Sequence, residues 1–134
     1  MVFSLTPRAS NALTVPNTSQ KPIIEEALTF VLLLDSQRPL KAWARSTVYF
    51  RKKLSPQRWQ RLFTAQRQRF GRPVARSLDG YSFLSVFEQA TDGLYLEVRF
   101  RTDFEARADI IERVVMYKDF DGRWRVIGYF LKRD

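Results

Sequence analysis

At Pro73 the chain changes its period, and that change limits what it can fold into. Upstream, apolar residues recur every three to four positions; downstream they alternate, so helices should precede strands. Four segments read as strands: "GYSFLSVFEQ" (80–89), "LYLEVRFRTDF" (94–104), "DIIERVVMYKDF" (109–120) and "RWRVIGYFLKR" (123–133). The breaks at Thr91-Asp92-Gly93, Ala106 to Asp109 and Asp121-Gly122 are short, which predicts consecutive antiparallel hairpins. In the second segment Leu96, Val98 and Phe100 face one way, and Tyr95, Glu97, Arg99 and Arg101 the other. The last segment places Trp124, Val126 and Phe130 on one face, with Gly128 allowing a bulge or a close approach.

Upstream, Pro22 suits the first turn of a helix, and Glu25 and Glu26 fall near the positive end of its dipole. Ile23, Ala27, Phe30, Val31 and Leu34 form its apolar stripe, which Leu28, Leu32 and Leu33 widen toward burial on more than one side. After a turn from Asp35 to Pro39, a short helix with Leu40, Trp43 and Ala44 inward is expected. A third helix is bounded by Ser55 as N-cap, Pro56 at its first position and Gly71 as its stop. Trp59, Leu62, Phe63, Gln66 and Phe70 share one face of it, and Arg58, Arg61 and Arg69 line its flank. The expected class is α+β: two or three N-terminal helices packed on a curved four-stranded antiparallel sheet. Residues 21–134 read as one domain, and residues 1–20, rich in Ser, Thr, Asn and Pro, as a flexible tail.

The chain has neither cysteine nor histidine. That excludes disulfides, thiolate nucleophiles, Cys/His zinc sites, His- or Cys-ligated haem and a Ser-His-Asp triad. No cofactor or metal is expected. The longest apolar run, Phe30 to Leu34, is too short to span a bilayer.

The net charge of +9 is concentrated in one place: residues 36–78 hold twelve Arg and Lys and no Asp or Glu. Arg51, Lys52, Lys53, Arg58, Arg61, Arg69 and Arg72 are therefore candidate contacts for a polyanion or another partner. Tyr49 or Trp59 could stack on bases, but Trp59, Phe63 and Phe70 share the helix stripe and fit a core better. Arg67, Arg76, Arg99 and Arg101 could form bidentate pairs with carboxylates, with Glu97, Glu112 or Asp103 as available partners. For Arg67 and Arg76 a structural role behind the helix, tied to backbone carbonyls, fits better than an anion site for a small acidic ligand.

Several marks occur in a fixed order: "LLLD" (32–35), Trp43, "FRKKLSPQRW" (50–59), "RQRFGRPVAR" (67–76), "TDGLYLEVRFRTDF" (91–104) and "DGRWRVIGYF" (121–130). Together they resemble a bacterial family designated domain of unknown function 4019, over about residues 25 to 131. The resemblance implies a helix-plus-sheet domain with a cystatin-like or nuclear-transport-factor-like cone, often in exported or envelope-associated proteins. It carries no activity and no catalytic residues. A cone of this kind would enclose a pocket, for which Asp35 as base and Tyr95 or Tyr129 as donor are the candidates. Tyr81 and Tyr117 are further material for it. No acid/base constellation is placed by spacing, so the chain reads as non-enzymatic.

The expected function is a binding or protein-interaction module, with a protein partner or a second copy as ligand. Polyanion or nucleic-acid binding through residues 36–78 is the alternative, and a small-ligand or enzyme pocket inside the cone the third. The sequence as given reads as cytoplasmic, and as exported if a leader precedes it.

Overall fold

The computed structural model describes residues 19–84 and 93–133. Four helices come first: α1 (Lys21–Asp35), α2 (Pro39–Ala44), α3 (Val48–Lys53) and α4 (Pro56–Phe70). Four strands follow, β1 (Pro73–Leu84), β2 (Tyr95–Phe104), β3 (Arg107–Lys118) and β4 (Trp124–Arg133). They pair in sequence order as an open antiparallel meander. The α+β class and the helix-then-strand order are as the change of period predicts. The expected turn at residues 91–93 and the end of the first expected strand fall largely outside the described residues.

The local departures have local causes. What reads as one short helix after Pro39 is two, because Thr47 starts a new one: its hydroxyl accepts the Phe50 N–H at 3.1 Å. The Thr47 N–H donates to the Val126 carbonyl at 2.9 Å, so the break between α2 and α3 is pinned to β4. In α2 the buried residues are Pro39 and Ala42, while Leu40 and Ala44 face solvent. α1 starts at Lys21, which moves Glu25 and Glu26 beyond its first turn; Glu26 instead takes the Arg45 guanidinium at 2.7 Å. Leu28 and Leu32 are exposed, so α1 buries one side only.

β1 begins at Pro73, seven residues before the alternation becomes legible. The tip of the β2–β3 hairpin holds that early stretch. Glu105 N–H donates to the Arg72 carbonyl and Ala106 N–H to the Phe70 carbonyl, both at 2.9 Å, and the Glu105 carboxylate accepts the Arg72 N–H at 2.8 Å. The close approach requires Gly71: its φ is +79°, and an added Cβ would lie 2.8 Å from the Glu105 Cβ.

The core lies between the helices and one sheet face. Phe30 is its centre, edge-on to Phe50 (6.3 Å between ring centroids), with Trp59 at 6.0 Å and Tyr129 at 5.6 Å. The indoles also have polar partners: Trp59 Nε1–H donates to the Pro39 carbonyl (2.8 Å) and Trp43 Nε1–H to the Leu54 carbonyl (2.7 Å). β4 carries a bulge at Ile127, opposite Val115 and Met116. It shifts the alternation, so Tyr129 and not Phe130 joins Trp124 and Val126 on the helix side; Phe130 packs on the other face.

Phe30→Ala should cost about 3–5 kcal/mol, because the three rings that close on that side chain cannot collapse onto a methyl group. Urea unfolding followed by circular dichroism checks it; a loss below about 1 kcal/mol would place the core elsewhere.

Candidate functional site

Asp35 ends α1, where a carboxylate opposes the helix dipole and needs compensation. Two guanidiniums supply it. Arg76 of β1 donates to Asp35 through Nη1 (2.5 Å) and Nη2 (3.1 Å), and Arg67 of α4 through Nη2 (3.2 Å). The third edge of Arg76, Nε, donates to Glu112 Oε1 of β3 at 2.7 Å. Glu112 is fully buried and takes two further donors: the Thr102 hydroxyl of β2 on Oε1 (2.5 Å) and the Tyr129 hydroxyl of β4 on Oε2 (2.6 Å). One neutral cluster of two carboxylates and two guanidiniums thus joins α1, α4 and all four strands.

Each charge in it is explained by its neighbours. Burial works against the Arg76 charge, but hydrogen bonds to Asp35 and Glu112 outweigh it and raise its pKa. Burial pushes the Tyr129 hydroxyl well above the ordinary phenol value, and the Glu112 charge adds to the shift, so it stays a donor. Arg67 Nε and Nη1 are buried without a hydrogen-bond partner among the described residues. Its guanidinium instead lies 5.1 Å from the Phe63 ring centroid and 5.3 Å from that of Phe104, so aromatic faces supply part of what a hydrogen bond would.

Of the two anchors the sequence offers for Arg67 and Arg76, carboxylates or backbone carbonyls, the structure uses the carboxylates. Asp35 and Tyr129 come together, linked through Arg76 and Glu112. Tyr95 does not join them. It lies on the opposite sheet face, 5.1 Å from the Tyr117 ring. Both Glu112 oxygens hold donors, and Asp35 is clasped by two cations. Thr102 carries no mark in the sequence, and Glu112 enters there only as a possible arginine partner, not as a core residue. The signal was present: Glu112 keeps phase with Val114 and Met116, so it is an acid at a core position of an alternating strand.

A second buried carboxylate balances the other face. Glu97 accepts from Arg99 Nη1 (2.8 Å) and Arg113 Nε (2.7 Å), two arginines that stand directly opposite each other on β2 and β3. Without Glu97 those like charges would repel across the ladder. Arg99 also reaches Asp79 (3.7 Å), and Arg101 pairs with Asp79 and Asp109. Of the expected partners, Glu97 is used by Arg99 and Glu112 by Arg76 on the helix side, whereas Asp103 accepts the Asp109 N–H.

The basic segment divides in the same way. Arg51 donates to the Ser46 carbonyl, and Arg72 lies 3.9 Å from Glu105. Arg58, Arg61 and Arg69 stand exposed on α4, turned away from buried Trp59 and Phe63, and Lys52 and Lys53 are exposed at the end of α3. Ser55 caps α4 as expected, its hydroxyl accepting the Arg58 N–H at 3.2 Å. Beyond β3, the hairpin tip is fixed by Arg125, which grips Asp119 (2.7 Å) and Asp121 (2.9 Å). Those hydrogen bonds, with the Arg123 N–H, hold the Asp121 carboxyl down at about 2.

By architecture this is an α+β domain with four helices on one face of an open four-stranded meander. Residues 26–129 match the family model described as "Protein of unknown function (DUF4019)", and the chain belongs to that family. Comparison with curated proteins and with solved structures gave no match. Among the described residues no helix is long and apolar enough to cross a membrane.

Tyr129 supplies a test through pH. Its folded pKa is raised, so its contribution is complete below the unfolded phenol value of about 10 and is lost as pH rises beyond it. Tyr129→Phe should cost about 1–3 kcal/mol at pH 8 by stripping Glu112 Oε2 of its donor. The gap to the parent should narrow between about pH 10 and 11. A gap that stays constant in urea unfolding across that range would contradict the assignment.

Proposed function

We propose that the protein is a non-enzymatic binding module that meets an anionic partner with the outward side of α4. One observation carries this: Arg58 and Arg61 have no ion pair among the described residues, and Arg69 only stacks on Phe70 (5.4 Å). Apart from Glu25, which lies exposed on α1, the described acids are engaged elsewhere, in the two buried clusters, in the hairpin tips, or at Glu26 with Arg45. The three arginines spread over eleven helical steps, about 16 Å of axis, which is the reach of several consecutive charges on a linear polyanion. Lys52 and Lys53 extend the same charge just before the helix. The aromatic residues of α4 face the core, which favours contact with phosphate or sulfate groups over stacking on bases.

Heparin chromatography tests this. The parent should stay bound beyond about 0.2 M salt, where weak nonspecific contacts fade. Arg58→Glu, Arg61→Glu and Arg69→Glu together should bring it into the flow-through, with an unchanged circular dichroism spectrum because all three side chains are exposed. Equal retention of parent and triple variant would refute the proposal.

A further inference from the structure

A different surface carries an independent inference. The β3–β4 hairpin presents Phe120 fully to solvent, the most exposed large apolar residue described. An exposed loop phenylalanine is ordinary when its loop is loose, but this tip is held at every backbone turn. Asp119 N–H donates to the Arg123 carbonyl and Gly122 N–H to the Asp119 carbonyl, both at 2.8 Å, and Arg123 N–H to Asp121 Oδ1 at 3.0 Å. Arg125 clasps both flanking carboxylates from below. The result is a preset aromatic knob between two acids, with little ordering left to be lost on docking.

A complementary hole lies a few residues away. A shallow cleft of about 250 Å³ is lined by Ala44, Trp124, Arg45, Arg123, Arg125 and Glu26. Trp124 and Ala44 supply apolar surface, and three guanidiniums stand at its rim. Two of these already have acids, Arg45 with Glu26 and Arg125 with the hairpin, while Arg123 has no ion pair among the described residues. The cleft therefore offers what an acid-flanked phenyl ring requires: an aromatic and methyl floor with a cation beside it.

We propose that this hairpin forms a two-fold interface between two copies of the chain, Phe120 of each copy entering the Trp124–Ala44 cleft of the other. Knob and hole sit four residues apart on one hairpin, so an axis passing between them lets both insertions occur at once, the self-complementary arrangement a symmetric dimer needs. Charge selects this occupant over a lipid surface: insertion there would bring the Asp119 and Asp121 carboxylates against anionic headgroups, whereas the cleft meets them with Arg123, the rim cation that no acid holds among the described residues.

Sedimentation velocity of the full chain from micromolar to several hundred micromolar tests it, with Trp124 emission as a second readout. The parent should pass from monomer to dimer, with a blue shift in emission as the cleft fills. Phe120→Ser should raise the dimer dissociation constant by at least about thirty-fold, as expected for an aromatic anchor. Ala44→Arg, which fills the hole and leaves the knob intact, should do the same. Both residues are exposed, so each variant should keep the parent's circular dichroism spectrum and melting behaviour. A parent that is monomeric at every concentration overturns the proposal, as does a dimer that Phe120→Ser leaves equally tight.

Discussion

The three-sided grip of Arg76 is the constraint around which the rest of the structure is arranged. A guanidinium offers donors along three edges, and here two edges serve the end of α1 while the third serves a fully buried carboxylate on β3. Nothing shorter or less planar could hold both. The arrangement explains why α1 can stop on an aspartate and why the helix layer sits at one height over the sheet. It also explains why β4 needs its bulge. Under strict alternation, with no bulge at Ile127, Tyr129 would face away and Glu112 would lose one of its three donors.

A buried ion cluster is a poor source of net stability, since desolvating four charges consumes most of what their attraction returns. Its value lies in uniqueness. Apolar contacts between α1 and the sheet would tolerate sliding, whereas a fork that must find Asp35 and Glu112 together accepts one register. Glu97 does the same on the far face for Arg99 and Arg113. The sheet is thus pinned from both sides by carboxylates, and most of the described acids of so basic a chain lie inward or at the hairpin tips. The outward side of α4 keeps its positive charge because most of these acids are held by arginines elsewhere.

The parts legible in the sequence are those written in local chemistry. Ser55, Pro56 and Gly71 bound α4 as they should, and the strand order follows from short turns. The early start of β1 was hidden because residues 73–79 show no alternation; the Glu105–Arg72 contact that holds them joins positions far apart in sequence. The division at Thr47 depends on a bond to Val126, again a long-range partner. The cluster itself was half visible. Asp35, Arg67, Arg76, Glu112 and Tyr129 are each candidates in the sequence, but periodicity assigns faces and not partners, so Tyr95 groups there with Asp35 and Tyr129 although the sheet separates them.

A double-mutant cycle between Arg76 and Glu112 tests the central claim most directly. Arg76→Met and Glu112→Gln each leave a buried charge without its partner and should each cost about 3–5 kcal/mol. If the fork fixes the helices on the sheet, the double variant should lose less than the sum of the two, by about 1 kcal/mol or more. Additivity within about 0.5 kcal/mol in urea unfolding would mean that the two residues do not act as a unit, and would contradict the account.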